Sequence, residues 1–580
     1  MTKAMWGQVS EVPLGIRAFF WVVAGLAAVV VALHIENARS TVRQDIPANP
    51  ITVLDGLVRG ELYWSRGATA MVIVEAAIAG IGWLMLVLIR KLAARGRPAI
   101  DDKARFMASG KALGPLTAAS ARRKADELGV CLGFTDAPGV LIGTSVAGRQ
   151  RLYGSYEDLH LDIWGRRQGK STCRAIPAIL DAIGPVVTAS TKRDIVDATR
   201  DVRAGQGSRI WVFDPQNVAG EAPSWFWDPL AWVRGDAVRA ARLAAHFAEA
   251  DNRTDGGDYF EIEAEELLAT LFLAASVERR PISQVWDWVT YSQDLAPVEL
   301  LRQHRHHFAA AGLAAVYNAD SRHRYGIFGT AKKMARCLRF PHLHPWVSRI
   351  SDDQREFDEH EFVDHNETLY ALSAAGTGSS APLVSALIES VLDVAVRKAW
   401  WSVPLLAVLD DAANVMRRKD FPQWYEQYGS RGVIVMAMLQ SWAQGVRRWG
   451  HDGMNELWSA ANIKVVGAGV DDVPFLRDRV DGIGGCGIGV SELRSLPRER
   501  AVLFASGAPP VLIETAPWWT GPYADDVRRS IDVHRPSKPT LMGLLNTAAP
   551  PEPPPKSSRV DIDKAEGPAS YVSDRGSCTP

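Results

Sequence analysis

Apolar and polar positions along the chain fall into three regimes. Residues 18 to 33, "AFFWVVAGLAAVVVAL", and 68 to 89, "ATAMVIVEAAIAGIGWLMLVLI", are nearly unbroken apolar runs, and Glu75 is the one charge between them. With Leu14 and Ile16 upstream the first approaches, and the second reaches, the roughly 17–25 residues a bilayer span requires. The spacing predicts membrane helices at about 16–34 and 68–89. A cleaved leader fits the first run poorly, because little positive charge precedes it and no small-residue cleavage site comes before Glu36. A buried helical hairpin is the other reading of the pair. Glu75 receives no function.

Beyond a polar, helix-prone stretch (about 101–130) the pattern changes to short apolar runs closed by turn signals. "LHLDIW" (159–164), "GPVVTAS" (184–190) and "RIWVFDP" (209–215) read as buried strands with helical sequence between them. From about 235 to 345 the rhythm is helical throughout, as in "DAVRAARLAAHFAEA" and "EIEAEELLATLFLAASV". Strands then resume with "TLYALSA" (368–374), "VPLLAVLDD" (403–411), "GVIVMAMLQS" (432–441) and "NIKVVGAG" (462–469), followed by a terminal hairpin, "RAVLFAS" (500–506) and "PVLIETA" (510–516), turning at Gly507 and Pro509. Alternating strands and helices predict an α/β fold with a parallel sheet. The expected domains are a membrane anchor at 1–100, a core in two parts at 101–234 and 346–530, an all-helical insertion at 235–345, and a Pro-rich disordered tail at 531–580.

Composition adds limits. The 580 residues are 47% hydrophobic and 23% charged, as in a globular protein, and the net charge of −1 excludes a chain-wide basic footprint for nucleic acid. Cys131, Cys173, Cys337, Cys486 and Cys578 form no CxxC pair and have no neighbouring histidine cluster, so neither a zinc site nor a disulfide framework is expected. Arg90, Lys91, Arg95, Arg97, Lys103 and Arg105 follow the second apolar run, whereas the stretch from 35 to 67 holds only Arg39, Arg43, Arg59 and Arg66. This asymmetry predicts a cytoplasmic body and a multi-pass protein of the plasma (inner) membrane.

The candidate chemistry begins at "WGRRQGKST" (164–172). A phosphate loop points backbone N–H groups and a helix N-terminus at the anion, and its lysine reaches the outer phosphates. Gly165, Arg166, Arg167, Gln168, Gly169, Lys170, Ser171 and Thr172 supply those parts, although the usual first glycine of G-x-x-x-x-G-K-[ST] falls on Trp164. Gly165 serves the turn if the loop is one residue shorter and Trp164 faces the core. "PLLAVLDDAANV" (404–415) has the form of a buried strand ending in acid. Asp410 would then hold magnesium through its shell together with Ser171, and Asp411 would orient or deprotonate the attacking water. Gln440, ending "VIVMAMLQ", stands where the third phosphate would be sensed, and Arg431 before that strand is a candidate finger acting across a subunit boundary.

In this order "GRRQGKST", "STKRD" (190–194), "WVFDPQ" (211–216), the helical stretch, "VLDDAANV", "LQS" and "NIKVVGAG", preceded by two apolar spans, resemble the type IV coupling proteins of the TraG/TraD kind in an actinobacterial-like version. The resemblance covers about 140–520. It implies a RecA-like phosphate-loop NTPase core using ATP and Mg2+, anchored in the membrane as a homo-hexamer. Such a protein receives a relaxase-bound DNA strand and delivers it to a type IV secretion channel, with the helical insertion recognising substrate. Two departures from the family pattern, Trp164 and Asp411, bear on turnover. An inactive receptor docking the substrate and an FtsK-like double-stranded DNA pump are the alternatives, though the tail carries no winged-helix reader. A protein-secretion ATPase would show repeated ATPase domains, and one GKST is present.

Overall fold

The computed structural model describes residues 14–41, 43–94, 98–249, 259–374, 379–398, 403–484 and 487–536. Its strands are β1 (Val140–Ser145), β2 (Arg151–Gly154), β3 (His160–Ile163), β4 (Val186–Ser190), β5 (Arg209–Phe213), β6 (Trp225–Phe226), β7 (Arg355–Glu356), β8 (Glu367–Leu372), β9 (Leu405–Leu409), β10 (Val433–Leu439), β11 (Ile463–Gly467), β12 (Arg500–Ala505) and β13 (Ala508–Glu514). Eleven of them make one sheet in the order β2-β1-β13-β12-β11-β3-β10-β9-β4-β8-β5. Neighbours from β11 to β5 are parallel, and those from β11 to β2 are antiparallel.

Every residue of β3, β4, β8, β9 and β10 is buried, because helices cover both faces. Successive side chains on a strand point to opposite faces, and the core divides accordingly. Leu405, Ala407 and Leu409 enter a large cluster under the helices Ala381–Lys398 and Phe421–Gly429, whereas Leu406 and Val408 enter a second one with the helices Ile176–Leu180 and Asp194–Gly205. Trp164 joins a third cluster beneath the antiparallel strands.

Two differences from the sequence reading concern the edges. β1 and β2 are short and interrupted by charged and small residues, so their pattern is weak; they extend the sheet past the β12–β13 hairpin, which is therefore not its edge. The stretch expected to be helical at 101–130 becomes α-helix only at Ala118–Glu127, after 3-10 turns at Ala99–Phe106 and Gly110–Leu116, the second of which contains Pro115.

Between β6 and β7, which pair in parallel, the chain is helical from Pro229–Val233 through Ala237–Ala248, Tyr259–Val277, Ser283–Thr290, Ala296–Gln303, His307–Asn318 and Ser321–Met334 to His344–Val347. Helix Ala381–Lys398 is buried nearly all round, between the sheet and these helices. Arg242 of the helical stretch reaches it through Glu389 (2.5 Å) and Asp393 (2.8 Å).

At the N-terminal end, helices Leu14–Arg39, Pro50–Val58 and Arg66–Ala94 meet around Leu33, Val53 and Ala68. One segment among the described residues, Arg66–Met85, is long and apolar enough to cross a membrane, with a mean hydropathy of 1.8. Ile73, Ile78, Ile81, Trp83 and Leu84 on it are more than half exposed. Cys173 and Cys337 are buried thiols and Cys131 is an exposed one; Cys486 and Cys578, like the Pro-rich tail from 537, lie outside the described residues.

Candidate functional site

β3, β9, β10 and β4 run parallel, so their C-terminal ends, with the loops that leave them, lie along one edge of the sheet. Such an edge is where open α/β sheets bind ligands. Residues 164 and 165 still belong to the sheet: Trp164 N donates to Leu439 O (3.0 Å) and Gly165 N to Ala468 O (2.9 Å). Trp164 is fully buried, with its indole over Gly467, where an added Cβ would lie 1.9 Å from Trp164 Cε2. The tryptophan is a core residue, and the loop begins after it.

Gly165 is required by close approach. A Cβ there would fall 2.1 Å from Gly469 O, and one on Gly469, at φ +75°, would fall 2.7 Å from Gln168 Cγ. The two glycines of "GAG" after β11 therefore seat the tryptophan and the loop in turn. Arg166 and Arg167 are exposed at the crown, and Gly169 turns the chain at φ 100° into the helical residues that follow. Cys173 N bonds Gly169 O at 2.8 Å, and Thr172 Oγ1 donates to the same carbonyl at 3.1 Å.

Lys170, Asp410, Asp411 and Gln440 converge. Lys170 Nζ lies 3.0 Å from Asp410 Oδ1 and 2.7 Å from Asp411 Oδ1, and Gln440 Nε2 donates to that same Asp411 oxygen at 2.7 Å. Burial works against the charge of Lys170, but Asp410 and Asp411 more than offset it and raise its pKa. Burial likewise opposes ionisation of Asp411, and the lysine beside it, helped by Gln440, nevertheless holds that carboxyl below the usual carboxylate range. Asp411 adopts φ 56°, ψ 50°, a left-handed conformation that Asp tolerates better than most residues; this turns its side chain back under the loop. Asp410 is fixed from the other side by Ser190 Oγ (3.3 Å), the first residue of "STKRD".

These groups line a cleft of about 500 Å3 with Gly165 through Cys173, Lys192 and Asp194, and also Arg498, Glu499, Pro517 and Trp519. The last four come from the loops before β12 and after β13, and sequence reasoning missed them, because no motif marks them. Lys192 and Asp194 lay in a quoted motif without an assigned role; their signal was a polar run at a strand end. Arg431 is not brought to the cleft. It is exposed and precedes β10, whose seven residues put it about 20 Å from the edge that carries the loop.

The residues fit a magnesium nucleotide. The loop has glycines where a side chain would collide, a buried ammonium faces two carboxylates, and Asp410 Oδ1 is buried without a well-aligned hydrogen bond. An α/β core with a large, mostly parallel sheet and a glycine-bearing loop leaving its central strand is the class that fold and cleft define.

Comparison with known proteins adds a family match to part of the chain. Residues 404–495 match the family described as the TraM recognition site of TraD and TraG, and that stretch includes β9, β10 and β11 with Asp410, Asp411 and Gln440. The resemblance to the type IV coupling proteins read from the motifs is borne out by this match. Among solved structures, the bacterial conjugative coupling protein TrwB lacking its first 70 residues, in a trigonal form with sulphate, aligns at a TM-score of 0.52 and 15% identity over 69% of this chain and 92% of that one. TrwB with a non-hydrolysable ATP analogue aligns at 0.48 and 14% identity (69% and 92% covered), and VirB4 of Thermoanaerobacter pseudethanolicus at 0.43 and 12% (68% and 100%). At 15% identity the likeness to the sulphate form of TrwB is one of fold. No curated protein sequence matches the chain.

Proposed function

We propose that the chain is a membrane-anchored ATPase that couples hydrolysis to the movement of DNA into a conjugative type IV secretion channel. The observation that carries this reading is the meeting of Lys170, Asp410, Asp411 and Gln440 in one cleft at the C-terminal edge of the sheet. A decayed receptor site has no reason to keep that network. Trp164, which with Asp411 favoured decay, packs in the core, and this supports a working loop that begins after it.

The roles follow from the contacts. Lys170, shared between two carboxylates, is the group that would pass to the outer phosphates of ATP, releasing Asp411 to orient the attacking water. Gln440, bonded to Asp411, would couple the presence of the third phosphate to that release. Ser171 and Asp410 would hold a magnesium ion, whose charge stabilises the phosphates in the transition state. Arg431, at the far end of β10, acts as a finger only if a neighbouring subunit of the proposed hexamer receives it.

The exposed apolar surface of Arg66–Met85 supports a membrane anchor, and the Lys/Arg excess after residue 89 supports two spans with a cytoplasmic ATPase domain. Domain limits of 1–100, 101–234, 235–345, 346–530 and 531–580 belong to the same proposal, with the helical stretch recognising substrate. The match to a TraM recognition site supports a partner associated with transfer DNA, such as a relaxase-bound strand.

The test is ATP hydrolysis by the purified chain with and without single-stranded DNA, alongside Asp411→Asn. Wild type should hydrolyse ATP faster with DNA. The variant should bind Mg-ATP normally and hydrolyse it roughly 100-fold more slowly, the usual scale for a lost general base. Wild-type protein that binds ATP but shows no turnover with or without DNA would favour the docking receptor.

A further inference from the structure

We infer that Trp519 is the platform on which the nucleobase stacks, so that the cleft recognises a nucleoside triphosphate at both ends rather than a polyphosphate alone. This rests on the reading of the cleft as an ATP site and specifies how the rest of the nucleotide is held. The sheet order assigns the two ends. From β3, which carries the loop, Asp410 and Asp411 lie two strands away along β10 and β9, whereas Arg498 and Glu499 lie two strands away on the opposite side, ahead of β12. Since β12 is antiparallel to β11, pairing Ala501 with Gly467, its start lies at the edge that bears the loop. The end of β13 returns to the same edge, with Glu514 opposite Arg500, and leads on to Trp519. Lys170, facing the carboxylates, sets the direction in which the outer phosphates point. The sugar and base must then extend toward the other end.

Trp519 is built for that position. Its neighbour Trp518 is packed against the core cluster of Val527 and Ile531, and the two indoles meet edge to face, with centroids 5.5 Å apart at 81°. Trp518 thus anchors a 3-10 turn, Trp518–Thr520, that holds Trp519 at the cleft wall with 45% of its surface exposed. A large aromatic left half-exposed on a rigid turn, inside a polar phosphate cleft, forgoes burial in the core. Stacking on a planar base would recover it. The charged residues beside it, Arg498 and Glu499, line the same end.

The experiment is calorimetric titration of the full chain in detergent with Mg-ATP and, separately, with Mg-tripolyphosphate, for wild type, Trp519→Ala and Trp519→Phe. Stacking predicts that Trp519→Ala weakens ATP by about 10-fold or more, leaves tripolyphosphate unchanged, and that Trp519→Phe restores ATP to within a few-fold of wild type. ATP binding by Trp519→Ala equal to wild type overturns the assignment. Equal loss of both ligands overturns it as well, because the residue would then only hold the turn. If wild type binds neither ligand, the ATP-site reading itself has failed; if it binds both and the alanine variant does not discriminate, only the platform has.

Discussion

Replacing Trp164 by glycine would restore the usual first glycine of a phosphate loop, and the structure says this should do harm. The indole is fully buried among Leu113, Ile142, Leu152, Val465 and Leu503 and lies over the bare Cα of Gly467. Truncating a buried tryptophan to alanine costs about 3–5 kcal/mol, and glycine in a strand adds about 0.5–1 kcal/mol. Trp164 Nε1 has no partner, so no hydrogen bond is lost with the indole. The total, about 3.5–6 kcal/mol, approaches the whole stability of many domains. Thermal unfolding followed by circular dichroism should move down by roughly 5–15 °C. ATP affinity, measured by calorimetry below the transition, should not improve, because Gly165 already makes the close approach to Gly469. A second substitution sharpens the test: Gly467→Ala is blocked by the indole in the wild-type background but would partly fill the hole left by Trp164→Gly, so the double variant should be more stable than the sum of its parts. An unchanged melting temperature together with tighter ATP binding in Trp164→Gly would refute the reasoning and make the tryptophan a defect of the loop.

Gly165→Ala should abolish nucleotide binding as seen by calorimetry, because its Cβ would stand 2.1 Å from a backbone oxygen that cannot retreat without moving the end of β11; wild-type affinity would mean the loop is not held by that contact. Asp181, which caps the short helix after the loop, has its carboxyl pushed up to about 6 by burial, with Arg151 only partly countering it. A folded pKa above the unfolded one gives stability that is complete below about pH 4 and lost as pH rises through about 6. Asp181→Asn should therefore stabilise the protein by about 1–2 kcal/mol at pH 8 and by nothing at pH 4, read from melting temperatures at the two pH values; equal effects at both would show that ionisation is not the cause.

How much of this was legible depended on whether a feature is written locally. The central strands were, because a sheet covered on both faces needs apolar residues at every position, and "LLAVL" and "VIVMAML" meet that need without reference to anything distant. β1 and β2 were not, since an antiparallel edge tolerates the mixed sequence "VLIGTSVAGRQRLYG". At the cleft, Asp410, Asp411 and Gln440 follow the ends of β9 and β10 and Lys170 closes the loop after β3, so each could be read from a local motif. Trp519, Arg498 and Glu499 reach the same cleft through loops of the antiparallel strands, where only the fold reveals proximity. The pair Gly467 and Gly469 was visible as a repeat of glycine at a strand end, but its meaning, one seat for a tryptophan and one for the loop, required the facing strand.

The loop is also held from behind. His160 and Asp162, alternate residues of β3, are fully buried, and Arg174 of the turn that follows the loop reaches both, with Nε 3.0 Å from Asp162 Oδ2 and Nη2 3.0 Å from His160 Nδ1. Burial, and then the arginine, keep His160 well below its ordinary pKa, so it is neutral and free to accept. Burial also raises the pKa of Asp162, although Arg174 opposes it. Hydrophobic residues of similar volume would fill this space without the desolvation cost of an ion pair. What they would lack is direction: the guanidinium fork bonds the strand that enters the loop to the turn that leaves it, and so fixes the two ends of the segment between Trp164 and Ser171 relative to each other. Lys170 lies inside that segment. For the proposed nucleotide site, a loop whose lysine is shared between two carboxylates needs its backbone set before the ligand arrives, and this buried charge network supplies that setting.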